Sequence, residues 1–169
     1  MLNKIFISFF LLIFSYGVYA MSAKPCLFSG MTGVINYEGK PAANVRLFRK
    51  IEGKDIDETI TDGNGYFEFK AVYQKKSLFD FLPTEFVIQQ RIFAFRDGEE
   101  YEIWTGVKTQ REENSESRGK PLVVSCELTL EETHHISVNN SPFFTMCTWD
   151  VEEDPEIVYA NPFDDSGSK

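Results

Sequence analysis

Residues 58–69 read ETITDGNGYFEF. Polar alternation gives way to four turn formers, Asp62, Gly63, Asn64 and Gly65, and then to aromatics at every second position. Gly adopts backbone angles that a Cβ opposes, and Asp and Asn side chains bond nearby backbone amides. The stretch therefore predicts a strand, a tight turn and a return strand whose Phe67 and Phe69 enter the core opposite Glu68 and Lys70. Calcium is the competing reading, because Asp57, Asp62 and Asn64 are oxygen ligands within eight residues and extracellular calcium modules are often weak. The run lacks the later bidentate Glu of a helix–loop–helix site, and Glu68 alternates outward on a strand. The turn is the favoured reading. No metal or other cofactor is expected.

Outward from this corner the chain reads as strands punctuated by turns. Residues 28–37 form a first strand, with Gly30 and Gly33 suggesting a bulge or close packing. Residues 43–51 alternate Val45 and Leu47 against Arg46, Phe48 and Lys50, and 56–61 form a short third strand. Phe67, Phe69, Ala71 and Tyr73 share one face. Residues 85–96 and 100–108 form the clearest hairpin, joined through Asp97-Gly98, which supplies the positive φ of a tight turn. Strands at 122–130 and 144–151 complete the set. Residues 74–84 are apolar without a period and predict a loop covering a core edge; 110–120 (QREENSESRGK) have almost no apolar residue and are expected in solvent. Seven or eight short strands without alternating helices predict an all-β antiparallel sandwich. Sixteen Phe suit it, since large rings fill the gap of about ten ångströms between two sheets.

The first twenty residues, MLNKIFISFFLLIFSYGVYA, place Lys4 before an apolar core from Ile5 to Phe14 and end on Val18 and Ala20 at the −3 and −1 positions of a cleavage site. That is a signal-peptide pattern, shorter than the roughly twenty apolar residues of a bilayer span. Residues 21–151 are then expected as one domain and 152–169 as an acidic, partly disordered tail. Removing Lys4 leaves 17 − 1 = 16 basic against 26 acidic side chains, a net charge of −10. Such a charge disfavours nucleic acid and anionic membrane surfaces. In an oxidising compartment, periplasmic or extracellular, a disulfide is the default for Cys26, Cys126 and Cys147. Cys126 shares the apolar face of Leu122, Val124 and Leu128, and Cys147 the side of Trp149 and Val151. A Cys126–Cys147 bridge is favoured, with pairing through Cys26 as the alternative and Cys26 otherwise free or linked to another chain.

The stretch GVINYEGKPAANVRLFR, a spacer and ETITDGNGYFEF together resemble the carboxypeptidase regulatory-like and transthyretin-like domains, whose pattern runs from a first strand through a G-x-P turn and an A-x-V strand to T-D-x-x-G-x-F. Here Gly39, Pro41, Val45, Leu47 and Gly65 fill those places. The resemblance covers residues 33–69 and implies an immunoglobulin-like or prealbumin-like sandwich serving as an accessory module. The later part, FLPTEFVIQQRIFAFRDGEEYEIWTGVK…GKPLVVSCEL…CTW, is similar to a family of small exported bacterial proteins of unknown function.

Catalysis finds little support in the residues. No G-x-S-x-G elbow is present, and His134 and His135, as neighbours in an extended chain, point to opposite faces and do not readily grip one metal. The expectation is an exported, non-enzymatic binding or structural module whose partner is another protein, docking on a sheet edge or on loops 74–84 and 110–120. An inhibitor of a toxic effector, steered by acidic charge, and a transthyretin-like hydrolase are the alternatives.

Overall fold

A computed structural model describes residues 24–75, 85–130 and 134–155. The signal-like residues 1–20, most of the 74–84 loop, residues 131–133 and residues 156–169 of the acidic tail lie outside the described residues.

The described residues form β1 (Cys26–Phe28), β2 (Met31–Tyr37), β3 (Lys40–Pro41), β4 (Arg46–Ile51), β5 (Lys54–Ile60), β6 (Tyr66–Phe69), β7 (Val72–Tyr73), β8 (Ile88–Arg96), β9 (Glu99–Lys108), a 3-10 turn at Ser115–Ser117, β10 (Leu122–Glu127), β11 (His134–Val138), β12 (Ser141–Thr145) and β13 (Cys147–Trp149). One sheet has the order β13-β10-β2-β3 with β6 also paired to β2, and a second has the order β11-β12-β9-β8-β4-β5. β1 and β7 pair separately. Inward residues of both large sheets share one core, from Met31, Ile35, Phe67, Phe69 and Val124 on one side to Leu47, Ile92, Ile103, Trp104 and Phe143 on the other. The fold is an all-β sandwich.

Two features depart from the sequence expectation. Thirteen strands are present among the described residues, not seven or eight, because three predicted strands break where the chain changes sheets and β3 and β11 were not foreseen. Residues 144–151 divide at Met146, whose amide bonds Ile103 O at 3.1 Å in one sheet while its carbonyl accepts from Glu127 N at 3.1 Å in the other. Residues 28–37 divide likewise at Ser29-Gly30. The sheets are also not wholly antiparallel: β2 and β10 run parallel, from Met31 beside Leu122 to Asn36 beside Glu127. Between them the chain visits β4, β5, β8 and β9 in the other sheet, a crossover long enough to allow parallel pairing.

The opening corner behaves as a turn. Asp62 Oδ1 accepts the amides of Asn64 at 2.8 Å and Tyr66 at 2.9 Å. Gly65 has φ +73°, and its carbonyl accepts from Ile35 N at 2.9 Å, which ties the turn to β2. Gly33 is a close-packing site: a Cβ there would stand 2.4 Å from Val124 O. The bridge joins Cys126 to Cys147, which face each other across β10 and β13. In the chain-entropy account a bridge over such a loop contributes about 3 kcal/mol. Cys26 is a free thiol, fully buried and so out of reach of a second chain.

The expectation that 110–120 lies in solvent holds for 110–113 and 118–120, which are exposed, but fails at the centre of the segment. Ser115, Glu116 and Ser117 are buried, Glu116 at 1% exposure. The Glu116 carboxylate accepts from Lys108 Nζ at 2.6 Å, Ser29 Oγ at 2.6 Å and Gln90 Nε2 at 2.9 Å. Its backbone carbonyl accepts from Trp149 Nε1 at 3.1 Å, and Lys108 also bonds Ser115 Oγ. The centre of the loop is polar because Ser115 and Glu116 satisfy an internal network, while its flanks are polar because they are solvated. Arg49 is a second buried charge, paired with Asp57 (2.9 and 2.5 Å) and donating to Lys70 O at 2.7 Å. Its Nη1 has no acceptor among the described residues; the rings of Phe28 and Phe69, 5.1 and 4.8 Å away, face the guanidinium instead.

Burial alone would raise the Glu116 carboxyl, but Lys108 and the hydrogen bonds from Gln90, Lys108 and Ser29 outweigh it and hold the group below its ordinary value of 4.5. Burial is likewise outweighed at Glu127 by bonds from Thr129, Gly39 and Glu38, and at Asp154 by bonds from Asn140, Arg118, Asn139 and Ser137. A carboxylate depressed in the folded state contributes stability above its unfolded value, and that stability is lost as pH falls through the folded value. Urea midpoints are therefore expected to hold steady from about pH 7 to 5.5 and to fall progressively below about pH 4.5. A midpoint that stays constant down to about pH 2.5 would contradict the assignment.

Candidate binding face

The residues singled out from sequence do not converge on one site. Cys126 and Cys147 bridge two strands of the five-stranded sheet, and Asp62, Gly63, Asn64 and Gly65 make the β5–β6 corner. Asp57, the third oxygen of the calcium reading, is paired with Arg49. No group of three or more His, Cys, Asp or Glu suited to a metal occurs among the described residues. His134 and His135 are exposed on β11, and His135 lies against Phe144 with ring centroids 5.0 Å apart. That strand went unpredicted. Ile136 and Val138 alternate before Asn139-Asn140, which take φ 55° and 59°, an asparagine hairpin signal present in the sequence.

Lys108, Ser115 and Glu116 have the chemical types of a catalytic group, but none is more than 8% exposed. Bonded to one another in the interior, these side chains tie the 115–117 turn to β9.

Among the described residues, the outer face of the six-stranded sheet has room for a ligand. Three rungs of paired residues cross it. Ile60, Arg46, Phe95 and Glu100 form the first; Glu58, Phe48, Phe93 and Glu102 the second. Lys50, Arg91, Thr105, Phe144 and His135 form the third. Alternation creates this face: Leu47, Arg49 and Ile51 point inward, so Arg46, Phe48 and Lys50 point out. Ile92 and Ala94 likewise leave Arg91, Phe93 and Phe95 outside.

The rings hold their neighbours in place. Phe48 and Phe95 meet edge to face at 5.2 Å and 84°. Arg46 lies 4.8 Å over Phe48 and 5.9 Å from Phe95. Lys50 and Arg91 approach Phe93 at 5.3 and 5.1 Å. Lys50 also pairs with Asp55 at 3.2 Å, and Arg91 with Glu102 at 2.5 Å. Between these groups lies an open cleft of 240 Å³ lined by Arg46, Phe48, Lys50, Asp55, Phe93, Phe95 and Glu100. Sequence reading placed Phe48 outward but did not align it with Phe93. The available signal was the same R-x-F spacing in both strands, Arg46-x-Phe48 and Arg91-x-Phe93.

No helix among the described residues is long and apolar enough to cross a membrane. Residues 31–131, more than half of the 169-residue chain, match the family described as Domain of unknown function (DUF6795). No curated protein matches the chain.

Proposed function

The chain belongs to the DUF6795 family, and we propose that it is an exported, non-enzymatic binding module of the cell envelope that engages its ligand through the outer face of the six-stranded sheet. The observation that carries this reading is the cleft of 240 Å³ between Phe48, Phe93 and Phe95. Small-molecule sites combine apolar walls with a few placed polar groups, as this one does. The signal-like first twenty residues and the Cys126–Cys147 bridge support export to the periplasm or beyond. The regulatory-like resemblance of residues 33–69 supports an accessory role.

The test compares intact wild type with a Phe48→Ala/Phe93→Ala variant as baits for whole envelope extract, glycans and proteins together. Ligand capture is expected to vanish in the variant and to persist in Tyr66→Ala, which alters an exposed side chain of the other sheet. Equal capture by both baits would refute the face.

A second reading rests on the net charge of −10: an inhibitor steered to a basic toxic effector. Capture of that kind is distinguished by a steep fall in association rate with salt.

A further inference from the structure

We infer that the cleft on the six-stranded sheet binds a neutral pyranose unit of a glycan; this rests on the reading of that face as the binding face. Size is the first argument. Drug-sized ligands occupy about 300–1,000 Å³, so an open cleft of 240 Å³ takes a single ring-sized unit.

Charge is the second. The lining holds two cations, Arg46 and Lys50, and two carboxylates, Asp55 and Glu100, which sum to zero. A strong polyanion would meet Asp55 and Glu100, and a polycation would meet Arg46 and Lys50. A neutral ligand meets neither penalty.

Hydrogen-bond chemistry narrows the class further. Arg and Lys only donate and ionised Asp and Glu only accept, whereas a hydroxyl does both. A ring bearing several hydroxyls can therefore use both kinds of group around one small cleft. Arg46 and Glu100 form no ion pair among the described residues, so both have capacity to bond a ligand. The other side of a pyranose is a face of C–H groups with partial positive charge. The negative ring faces that already draw Arg46 and Lys50 attract such a face by the same electrostatics. Phe93 borders the cleft on the side of the Arg91–Glu102 pair, which offers a second set of donor and acceptor groups for the next unit of a chain.

The experiment titrates the intact protein with four defined probes, linear tetramers of glucose, mannose, galactose and N-acetylglucosamine. At least one is expected to bind, with amide shifts centred on β4 and β8. Phe93→Ala is expected to weaken that binding at least about tenfold. Glu100→Gln, at an exposed position that leaves the core untouched, is expected to weaken it severalfold, while Tyr66→Ala leaves it unchanged. Urea midpoints of the variants verify folding. Absence of binding by every probe at about 10 mM, or binding indifferent to both Phe93→Ala and Glu100→Gln, overturns the inference. If an envelope protein binds the wild type, is lost in Phe93→Ala and is not displaced by any of the four saccharides, the face stands and the glycan is overturned.

Discussion

Glu116→Ala is expected to destabilise the fold by about 3–5 kcal/mol, the range for removing one partner of a buried ion pair. The cost arises from what remains. Lys108 is 1% exposed, and without the carboxylate its ammonium keeps, among the described residues, only Ser115 Oγ as a hydrogen-bond acceptor. Ser29 and Gln90 lose their shared acceptor as well, and each buried unsatisfied group adds about 1–3 kcal/mol before relaxation. Those donors come from the β1–β2 connection, β8 and β9, so one carboxylate fastens the polar loop to both sides of the sandwich. A domain stability of about 5–15 kcal/mol leaves little margin for such a loss. The comparison is Asp150→Ala, which removes the exposed Lys120–Asp150 pair (57% and 89% exposed) and is expected to cost less than about 1 kcal/mol. A Lys108→Met/Glu116→Leu double variant is expected to recover only the part of the loss due to the stranded ammonium, because Ser29 and Gln90 still lack their acceptor. Urea unfolding of all three decides. A loss below about 1 kcal/mol in Glu116→Ala would mean the network is peripheral.

That network also marks where the sequence stops being legible. Alternation identified the inward positions of β4, β6 and β10 and the Cys126–Cys147 pair, because apolar residues at every second position carry their own direction. The same phase, followed strictly, places Arg49 with Leu47 and Ile51, Gln90 with Ile92, and Lys108 with Trp104. Each is a polar residue in an apolar register, the sign of a buried group with a partner elsewhere. The partner is the illegible half. Glu116 sits in QREENSESRGK, where no periodicity distinguishes a buried acid from a solvated one. Strand breaks at Met146 and Ser29 were hidden for a related reason: a chain that changes sheets keeps its extended geometry, so its residues still read as one strand. The bulge in the β8–β9 ladder buries Ile103 and Trp104 in succession, which alternation alone forbids. The outer face was legible strand by strand, since Arg46, Phe48 and Lys50 read as outward. Its rungs required the register between β4 and β8, which is a tertiary fact.

Gly65→Val is expected to cost at least about 4 kcal/mol, in the range reserved for core cavities and backbone clashes. Two separate causes add. The backbone holds φ +73°, a left-handed angle that costs an ordinary L-residue about 1–2 kcal/mol and a β-branched one more. Even the first side-chain carbon has no space, standing 2.4 Å from Ile35 O and 3.0 Å from Ala42 N. Both are backbone atoms, so no rotamer change relieves the overlap. The turn must move, and with it go the bonds Ile35 N to Gly65 O at 2.9 Å and Ala42 N to Ile35 O at 2.8 Å. The first bond joins the corner to β2 and the second joins the residue after β3 to it, and β2 carries the parallel partner β10 on its other side. Gly63→Ala, two residues away in the same corner, is the control: nothing lies within 4 Å of a Cβ there, and the change is expected to fall within about 0.5 kcal/mol. The contrast isolates the structural role of the corner. If 62–65 also served calcium, the wild-type urea midpoint would rise with added calcium and fall in chelator, on top of the penalty of the Gly65 substitution. A Gly65→Val protein as stable as wild type in chelator would overturn the structural role of this turn.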